Sequence, residues 1–503
     1  MSVPVRSRGM LWPSVGDPRR GRALLYAVLA PVFLLIGSSA ARASFAIYVG
    51  KNLTADGNSF LAGYGDEPSS HWLEIVPRRE HPVGTMIRVG VDGAARYPGE
   101  LFEIPQVRVT CKYITHNYSA FAGLPAPLTN GGLNEHGVAA RDVWCPSRPE
   151  LAEMTPNPQR GLNYSDLSRI AMERARTARE AVEIIGDLMN RHGYATYGGN
   201  SHFFADADEG WIVINFAGGK GLWVAQRVGP DEVRVSRPGY IGEVPLDYQK
   251  RPDYRGSANL VSFAVEQGWY DPKSGAPFDV NKIYGNGRGP SGSAVAERLR
   301  SKAGKIELRD MIAELRIAAT DSAGYGQVAH LRKEVHPELR VLWVAATSSV
   351  AAPFAPIHMG ATDVPPEFKW HRYLTEGEAS RFMEEGRQGL ESTRSAFHEF
   401  KRLFYLVKEH EKPFRREVTG AMEAFEAGLI RQQPTTEAVA AGLFEAGKPE
   451  LARRFLTYYS TTELMNGLRL GQALADSIDA RTKLLFGVRQ PASPILDTTT
   501  APE

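Results

Sequence analysis

The sequence predicts an α+β protein: a β-rich body from residue 44 to about 365, followed by a helical region over 366–488. Three observations carry this. Short apolar runs set between turn signals recur through the body. One stretch, 165–191, repeats its apolar residues at helical spacing. Beyond Pro366 the pattern is helical. The 503 residues are 43% hydrophobic and 23% charged, which excludes a polytopic membrane protein, a disordered chain and a disulfide-dense scaffold. With 59 Lys+Arg against 57 Asp+Glu the net charge is only +2, without the concentrated basic charge of a nucleic-acid binder.

The first 43 residues read as an address. Arg19, Arg20 and Arg22 precede an uncharged run from Ala23 to Ala41, and Ala41-Arg42-Ala43 is a small-x-small cleavage signal. Basic, apolar, then A-x-A is the layout of a secretory signal peptide. The uncharged run approaches a bilayer span in length, but Pro31 and Gly37-Ser38-Ser39 fit a cleaved peptide better than an anchor. The expectation is export to the periplasm or beyond, with no stable membrane association after cleavage behind Ala43. Without residues 1–43 the chain keeps 53 basic and 56 acidic side chains, so its slight basicity belongs to the address. In an oxidising compartment Cys111 and Cys145 have the choice of pairing or staying free, which their positions leave open. Neither their spacing nor their neighbours mark a metal site.

From Ser44 the elements follow in order. Phe45–Val49 is an apolar run stopped by Gly50, Asp56-Gly57 is a hairpin-type turn, and Ser59–Ala62 is the returning strand. Residues 102–113 read as a strand region. In 165–191, Thr177 and Glu180 make a capping box, and Val182, Ile185, Leu188 and Met189 line one helical face. A β-meander follows over 202–204, 211–214 and 222–224. The turn Asp206–Gly210 lacks the terminal Glu of a calcium loop and reads as a hairpin connection. Residues 338–348 close the β-rich part. Thr375 and Glu378 form a second capping box, Phe397, Phe400, Phe404 and Val407 make a core stripe, and two further helical segments are expected within 435–485. The tail, 489–503, reads as disordered. Gly285–Pro290 reads as a flexible loop, and the twelve histidines contain no HExxH.

Cleavage behind Ala43 makes Ser44 the first residue of the mature chain. Such a serine carries both nucleophile and base: its hydroxyl attacks a carbonyl while its own α-amine takes the proton. A terminal amine has a pKa of about 7.7–8.0, suited to a general base near neutrality, whereas a lysine at about 10.4 needs strong perturbation.

The segment Ser44–Gly57, with Val49-Gly50-Lys51 and Asp56-Gly57, resembles the opening of peptidase family C69, dipeptidases of the N-terminal-nucleophile (Ntn) hydrolase superfamily. Further blocks agree in order: Gly132–Ala139, Ala178–Glu183, Gly199-Asn200-Ser201 with Trp211, and Leu342–Pro356. The resemblance covers about 44–365 and implies an αββα sandwich, two stacked antiparallel sheets with helices outside. It also implies the site. Ser44 takes the place of the family's Cys nucleophile. Asp66 matches an acid that organises the terminal amine. Asn134 and Asn200 match candidates for oxyanion stabilisation or for holding that amine. No metal or organic cofactor is implied, and the substrate is a dipeptide or small amide. The sequence departs from the family twice: Ser44 replaces Cys, and Gly63 stands where the family usually has Arg. Arg298 and Arg316 lie on helix-like segments and read as solvated side chains, with replacement of that cation as the alternative for either. Two alternatives stand beside a dipeptidase: an acylase acting on N-acyl amides, and a non-catalytic peptide-binding homologue.

Overall fold

The computed structural model describes residues 44–65, 71–118, 123–125, 128–196, 198–236, 241–285, 287, 293–318, 323–369 and 395–487. The signal segment, Asp66, the Thr375–Glu378 box, most of the Gly285–Pro290 loop and the tail lie outside the described residues.

The principal strands are β1 (Phe45–Val49), β2 (Ser59–Gly65), β3 (His71–Val76), β4 (Tyr113–Tyr118), β5 (Leu128–Thr129), β6 (Gly131–Asn134), β7 (Ala139–Cys145), β8 (Gly199–Ala205), β9 (Gly210–Asn215), β10 (Trp223–Val228), β11 (Val233–Ser236), β12 (Tyr254–Gly256), β13 (Tyr325–Leu331), β14 (Val341–Ala345) and β15 (Ala355–His358). They form two antiparallel sheets. The first runs β11-β1-β2-β13-β14-β15; the second runs β12-β10-β9-β8-β7-β6-β4-β3, with β5 on β4. The expected hairpin Phe45–Ala62 is present, with Ile47 opposite Ala62 and Tyr48 opposite Leu61.

Strand alternation assigns the faces. A Cβ at Gly210 of the second sheet would stand 2.8 Å from the ring of Tyr48, so Tyr48 points between the sheets and glycine makes room for it. Ala46 and Ser44 share that parity, as do Leu61 and Gly63 across the hairpin. Gln327 of β13, opposite Gly63, donates to the Ala140 carbonyl of β7 at 2.9 Å and ties the two sheets together. Ile212 and Ile214, which share the parity of Gly210, face the first sheet with Phe203 and Ala205, the partners of Ile212 and Gly210, while Phe204, Trp211 and Val213 belong to the cluster behind the second sheet.

That outer face is covered by α1 (Tyr164–Arg174) and α2 (Ala178–His192). The sequence reads these as one helix. Two caps split it: Asn163 accepts from the Asp166 N–H, and Thr177 restarts the helix by accepting from Glu180 N–H. The first sheet is covered by α3 (Ser293–Arg300) and α4 (Leu308–Ala318), through Leu299, Met311, Ile312 and Leu315. The layering is helix, sheet, sheet, helix, the αββα sandwich.

The C-terminal region is α5 (Ala396–Glu409), α6 (Glu411–Glu445) and α7 (Pro449–Phe486), longer and earlier than the two segments expected within 435–485. In α5, Phe400, Phe404 and Val407 of the expected stripe are buried, while Phe397 is half-buried. The helices dock on β14 and β15 through Ser460, which donates to Pro356 O at 3.1 Å, and through Glu437, which is bonded by Arg332 and His358. Among the described residues no helix is long and apolar enough to cross a membrane.

Candidate active site

Ser44 directly precedes β1, near the middle of the first sheet, and is 6% exposed. Phe45 pairs with Tyr64 and Ala46 with Gly63. Continuing the register brings Ser44 to Gly65, whose other neighbour is Tyr325 of β13. The inner face of this sheet end therefore presents Ser44, Gly63, Gly65 and Tyr325.

Opposite it stands a buried arginine. Arg141 of β7 has the parity of Val143 and Cys145, which face the first sheet, and it is 0% exposed. Its Nη2 donates to the Tyr64 carbonyl at 2.6 Å, its Nη1 pairs with Asp142 Oδ1 at 2.9 Å, and its guanidinium lies 5.4 Å from the Tyr325 ring centroid. Asp142 in turn accepts from Asn130 Nδ2 at 2.5 Å. Desolvating such an ion pair is costly and seldom yields net stability. Arg141 stands on the inner face across from the Ser44 end of the first sheet.

Aromatic and imidazole rings complete the wall. His116 of β4 stacks on Tyr325 at 4.7 Å, and His71 of β3 lies 5.3 Å from the same ring. Burial, helped by His71 and the Arg141 charge, pulls the His116 pKa down to about 3, so this imidazole is neutral at physiological pH.

The four residues expected from the sequence fare differently. Ser44 is on the inner face. Asp66 lies outside the described residues. Asn134 sits in the β6–β7 turn with every polar atom engaged: Nδ2 donates to Met172 O (3.2 Å) and Ala175 O (2.7 Å), and Oδ1 accepts from His136 N and Val138 N (both 3.0 Å). It pins that turn to the end of α1 and has no donor left for an oxyanion. Asn200 shares the parity of His202 and Phe204, on the face beneath α1 and α2. Its Nδ2 lies 3.2 Å from His202 Nε2 and 3.4 Å from Asp142 Oδ2, and His202 Nδ1 is 3.3 Å from Ser168 of α1. Strand alternation therefore turns Asn200 away from Ser44. Burial, with the Arg141 charge, lowers the His202 pKa to about 3.

Neither arginine weighed as a replacement for the cation at Gly63 takes that place. Arg298 is bound to Glu314, and Arg316 to Glu426 (2.6 Å) and Ser349 O (2.8 Å), beside the C-terminal helices. Arg141 is the residue the sequence reading missed. Its only local signal was a charged Arg-Asp pair inside the apolar run Val138–Val143.

The remaining readings resolve simply. Asp206 makes the β8–β9 turn by accepting from Asp208 N and Glu209 N, and caps α2 through Ala178 N. His330 bonds Asp56 at 2.7 Å, and His336 accepts from Glu338 N, both structural roles. Cys111 and Cys145 are separate buried thiols. Cys111 gathers with Glu135 and His136, their ligand atoms within 4.8 Å of one another, a grouping the sequence gave no sign of. Burial and the Glu135 carboxylate push the Cys111 thiol up to about 11, and Arg78 already holds Glu135 at 2.6 Å.

Comparison with known proteins agrees with the resemblance read from the sequence. The model of Peptidase family C69 matches residues 45–291. A probable dipeptidase from Salmonella dublin is 25% identical over 260 residues, covering 51% of this chain and 56% of the relative. A probable dipeptidase B from Streptococcus pyogenes serotype M3 is 25% identical over 245 residues, covering 47% and 45%. The chain thus spans about half the length of the curated relatives it matches. A solved mutant of a conjugated bile acid hydrolase from Clostridium perfringens aligns with a TM-score of 0.30 and 10% identity, covering 67% of this chain and 97% of that one.

Proposed function

We propose that this chain, which carries peptidase family C69 sequence over residues 45–291, is an exported amide hydrolase of the Ntn class, acting on dipeptides, with Ser44 as nucleophile. The observation that carries the reading is the position of Ser44: buried at the inner edge of β1, on the face that also receives Arg141 and Tyr325.

Signal-peptide removal behind Ala43 frees the α-amine of Ser44. In the reaction that amine takes the Oγ proton as Oγ attacks the substrate carbonyl. The tetrahedral oxyanion is stabilised by fixed donors and positive charge in a water-poor space, where each counts for more than in bulk water. Collapse breaks the C–N bond, and the proton held by the α-amine passes to the leaving amine. The acyl group stays on Oγ as an ester. Water, deprotonated by the same α-amine, then releases the acid and restores Ser44.

A hydroxyl is a weaker nucleophile than a thiol, so the serine depends on its base more than a cysteine does. A second reading, a peptide-binding homologue without turnover, is favoured by the two departures at Ser44 and Gly63. An acylase would differ only in substrate. N-terminal sequencing of exported protein should begin Ser-Phe-Ala-Ile. A dipeptide panel should be turned over by the wild type and by Ser44→Cys, with a loss of at least ~10³ in kcat/KM for Ser44→Ala. Turnover confined to N-acyl amides would move the substrate class. Dipeptide binding without turnover in the wild type would overturn the catalytic reading.

A further inference from the structure

We propose that Cys111, Glu135 and His136 form a binding site for a zinc ion, at the end of the sandwich away from Ser44. The site and its test are independent of where the mature chain starts.

The backbone brings the three side chains together. Val76 of β3 pairs with Tyr113 of β4, and Arg79 with Thr110, so Arg78 stands across from Cys111. On the other side of β4, Asn134 of β6 pairs with Tyr113, and Glu135 N donates to Lys112 O at 2.9 Å. Cys111 N donates to Glu173 O at 2.8 Å, and His136 N donates to Asn134 Oδ1 at 3.0 Å. The backbone of all three residues is thus fixed by bonds that no ion supplies. Cys111 is buried and the other two are half-buried, and one ligand atom of each lies within 4.8 Å of the others. Around tetrahedral zinc, with bonds of about 2.0–2.3 Å, ligand atoms stand about 3.3–3.6 Å apart. Closing the site takes side-chain movements on the order of 1 Å.

A thiolate, an imidazole and a carboxylate suit zinc, whereas calcium and magnesium take oxygen ligands. Three protein ligands leave the fourth position to water, and His136 lines a cavity of about 190 Å³ from which one can enter. The Cys111 thiol hydrogen-bonds Glu135. As zinc binds, the thiol proton passes to solvent and an S–Zn bond replaces the S–H bond. Arg78 holds Glu135 Oε1 at 2.6 Å and leaves the second oxygen for the ion. The His136 ring makes no hydrogen bond among the described residues, so its lone pair is available.

Arg78, Arg176 and Arg340 bring like charge to this position. Arg78 and Arg176 are exposed, where water and salt screen them. Arg340 donates Nη1 to the Glu135 carbonyl, and Lys112 Nζ donates to Ala361 O at 2.7 Å. The thiolate and the carboxylate together match both charges of the ion. His136 shares its cavity with Leu331, the last residue of β13, whose first residue, Tyr325, pairs with Gly65 at the Ser44 end. An ion there ties the β6–β7 turn to the segment ahead of β4, and its effect is on stability.

The test reads the metal directly. Full-length protein, stripped with EDTA and desalted, is titrated with Zn²⁺ against a chromophoric chelator. One equivalent should bind with a Kd of about 1 μM or below, and Tm should rise with zinc concentration. Cys111→Ser, Glu135→Gln and His136→Ala should each weaken binding by at least ~10-fold. Co²⁺ in place of Zn²⁺ should give a near-ultraviolet thiolate-to-metal charge-transfer band, lost in Cys111→Ser. X-ray absorption of the zinc-loaded wild type should show one sulfur at about 2.3 Å beside nitrogen and oxygen at about 2.0–2.2 Å. That measurement needs no variant and decides the matter should Cys111→Ser fail to fold. A shell of nitrogen and oxygen alone, a charge-transfer band kept in Cys111→Ser, or no stoichiometric binding would overturn the site.

Discussion

Gly63 and Arg141 fill each other's space. The glycine has no side chain, and the aliphatic part of the arginine lies where one would be, 3.0 Å from the position of its Cβ. The same Cβ would stand 2.3 Å from the Phe45 carbonyl oxygen, a backbone atom that cannot swing aside. In this backbone, therefore, position 63 has no room for a side chain, and the guanidinium beside it belongs to Arg141 of the second sheet.

This complementarity makes Gly63→Ala a sensitive substitution although it adds one methyl group. The cost is overpacking against backbone and a buried guanidinium, typically about 1–3 kcal/mol. Thermal unfolding should show a clear fall in Tm, and turnover by the remaining folded protein should fall as well, because the displaced arginine loses its bond to Tyr64 O. A Gly63→Ala protein with wild-type Tm and kcat/KM would show that the arginine does not depend on this gap.

Asn134 is expected to behave in the opposite way. Its four hydrogen bonds all go to backbone, joining the β6–β7 turn to Met172 and Ala175 at the end of α1. Asn134→Ala leaves buried N–H and C=O groups unpaired, at about 1–3 kcal/mol for each group that finds no water. Denaturant unfolding should show a lowered midpoint. Per folded molecule, kcat should change by less than threefold or so, far short of the 10²–10³ loss that follows removal of an oxyanion donor. A kcat loss of that larger size with unaltered stability would return Asn134 to the catalytic site.

The contrast between Asn134 and Arg141 shows what the sequence made legible. Local signals carried well. The apolar run Phe45–Val49, the Asp56-Gly57 turn, the Thr177 cap and the phenylalanine stripe of α5 each depend on neighbours in sequence, and each is present. The face a strand residue occupies depends on which strands pair and stack. Arg141 meets Tyr64 across 77 residues of sequence, so no spacing rule finds it. Asn200 went the other way: its block was recognisable, but the alternation of β8 placed it beneath α1. The long helix α6 continues through Pro434, where a pattern reading expects a boundary. Burial of Gln433, Thr436 and Ala440 against the rest of the fold holds it there.

That same stretch of α6 carries a pH-dependent link between the C-terminal helices and the sandwich. Arg332, at the end of β13, makes two bonds to the Glu437 carboxylate at 2.6 and 2.8 Å, Gln433 donates at 2.7 Å, and buried His358 of β15 lies at 3.2 Å. Burial alone pushes the Glu437 carboxyl upward. The hydrogen bonds from His358 and Arg332, the Arg332 charge and the Gln433 bond outweigh it and bring the pKa from 4.5 down to about 2. A carboxylate whose folded pKa is depressed contributes stability that is complete above its unfolded pKa and is lost as pH falls toward the folded one. The window is therefore about pH 4.5 down to 2, and the contribution at neutral pH is on the order of 3 kcal/mol as an upper figure. Glu437→Gln should lower Tm at pH 7, and the further fall in Tm from pH 4.5 to 2 should be smaller than in the wild type. Parallel Tm-against-pH curves for the two proteins across that window would show that this carboxylate does not couple the helices to the sheet.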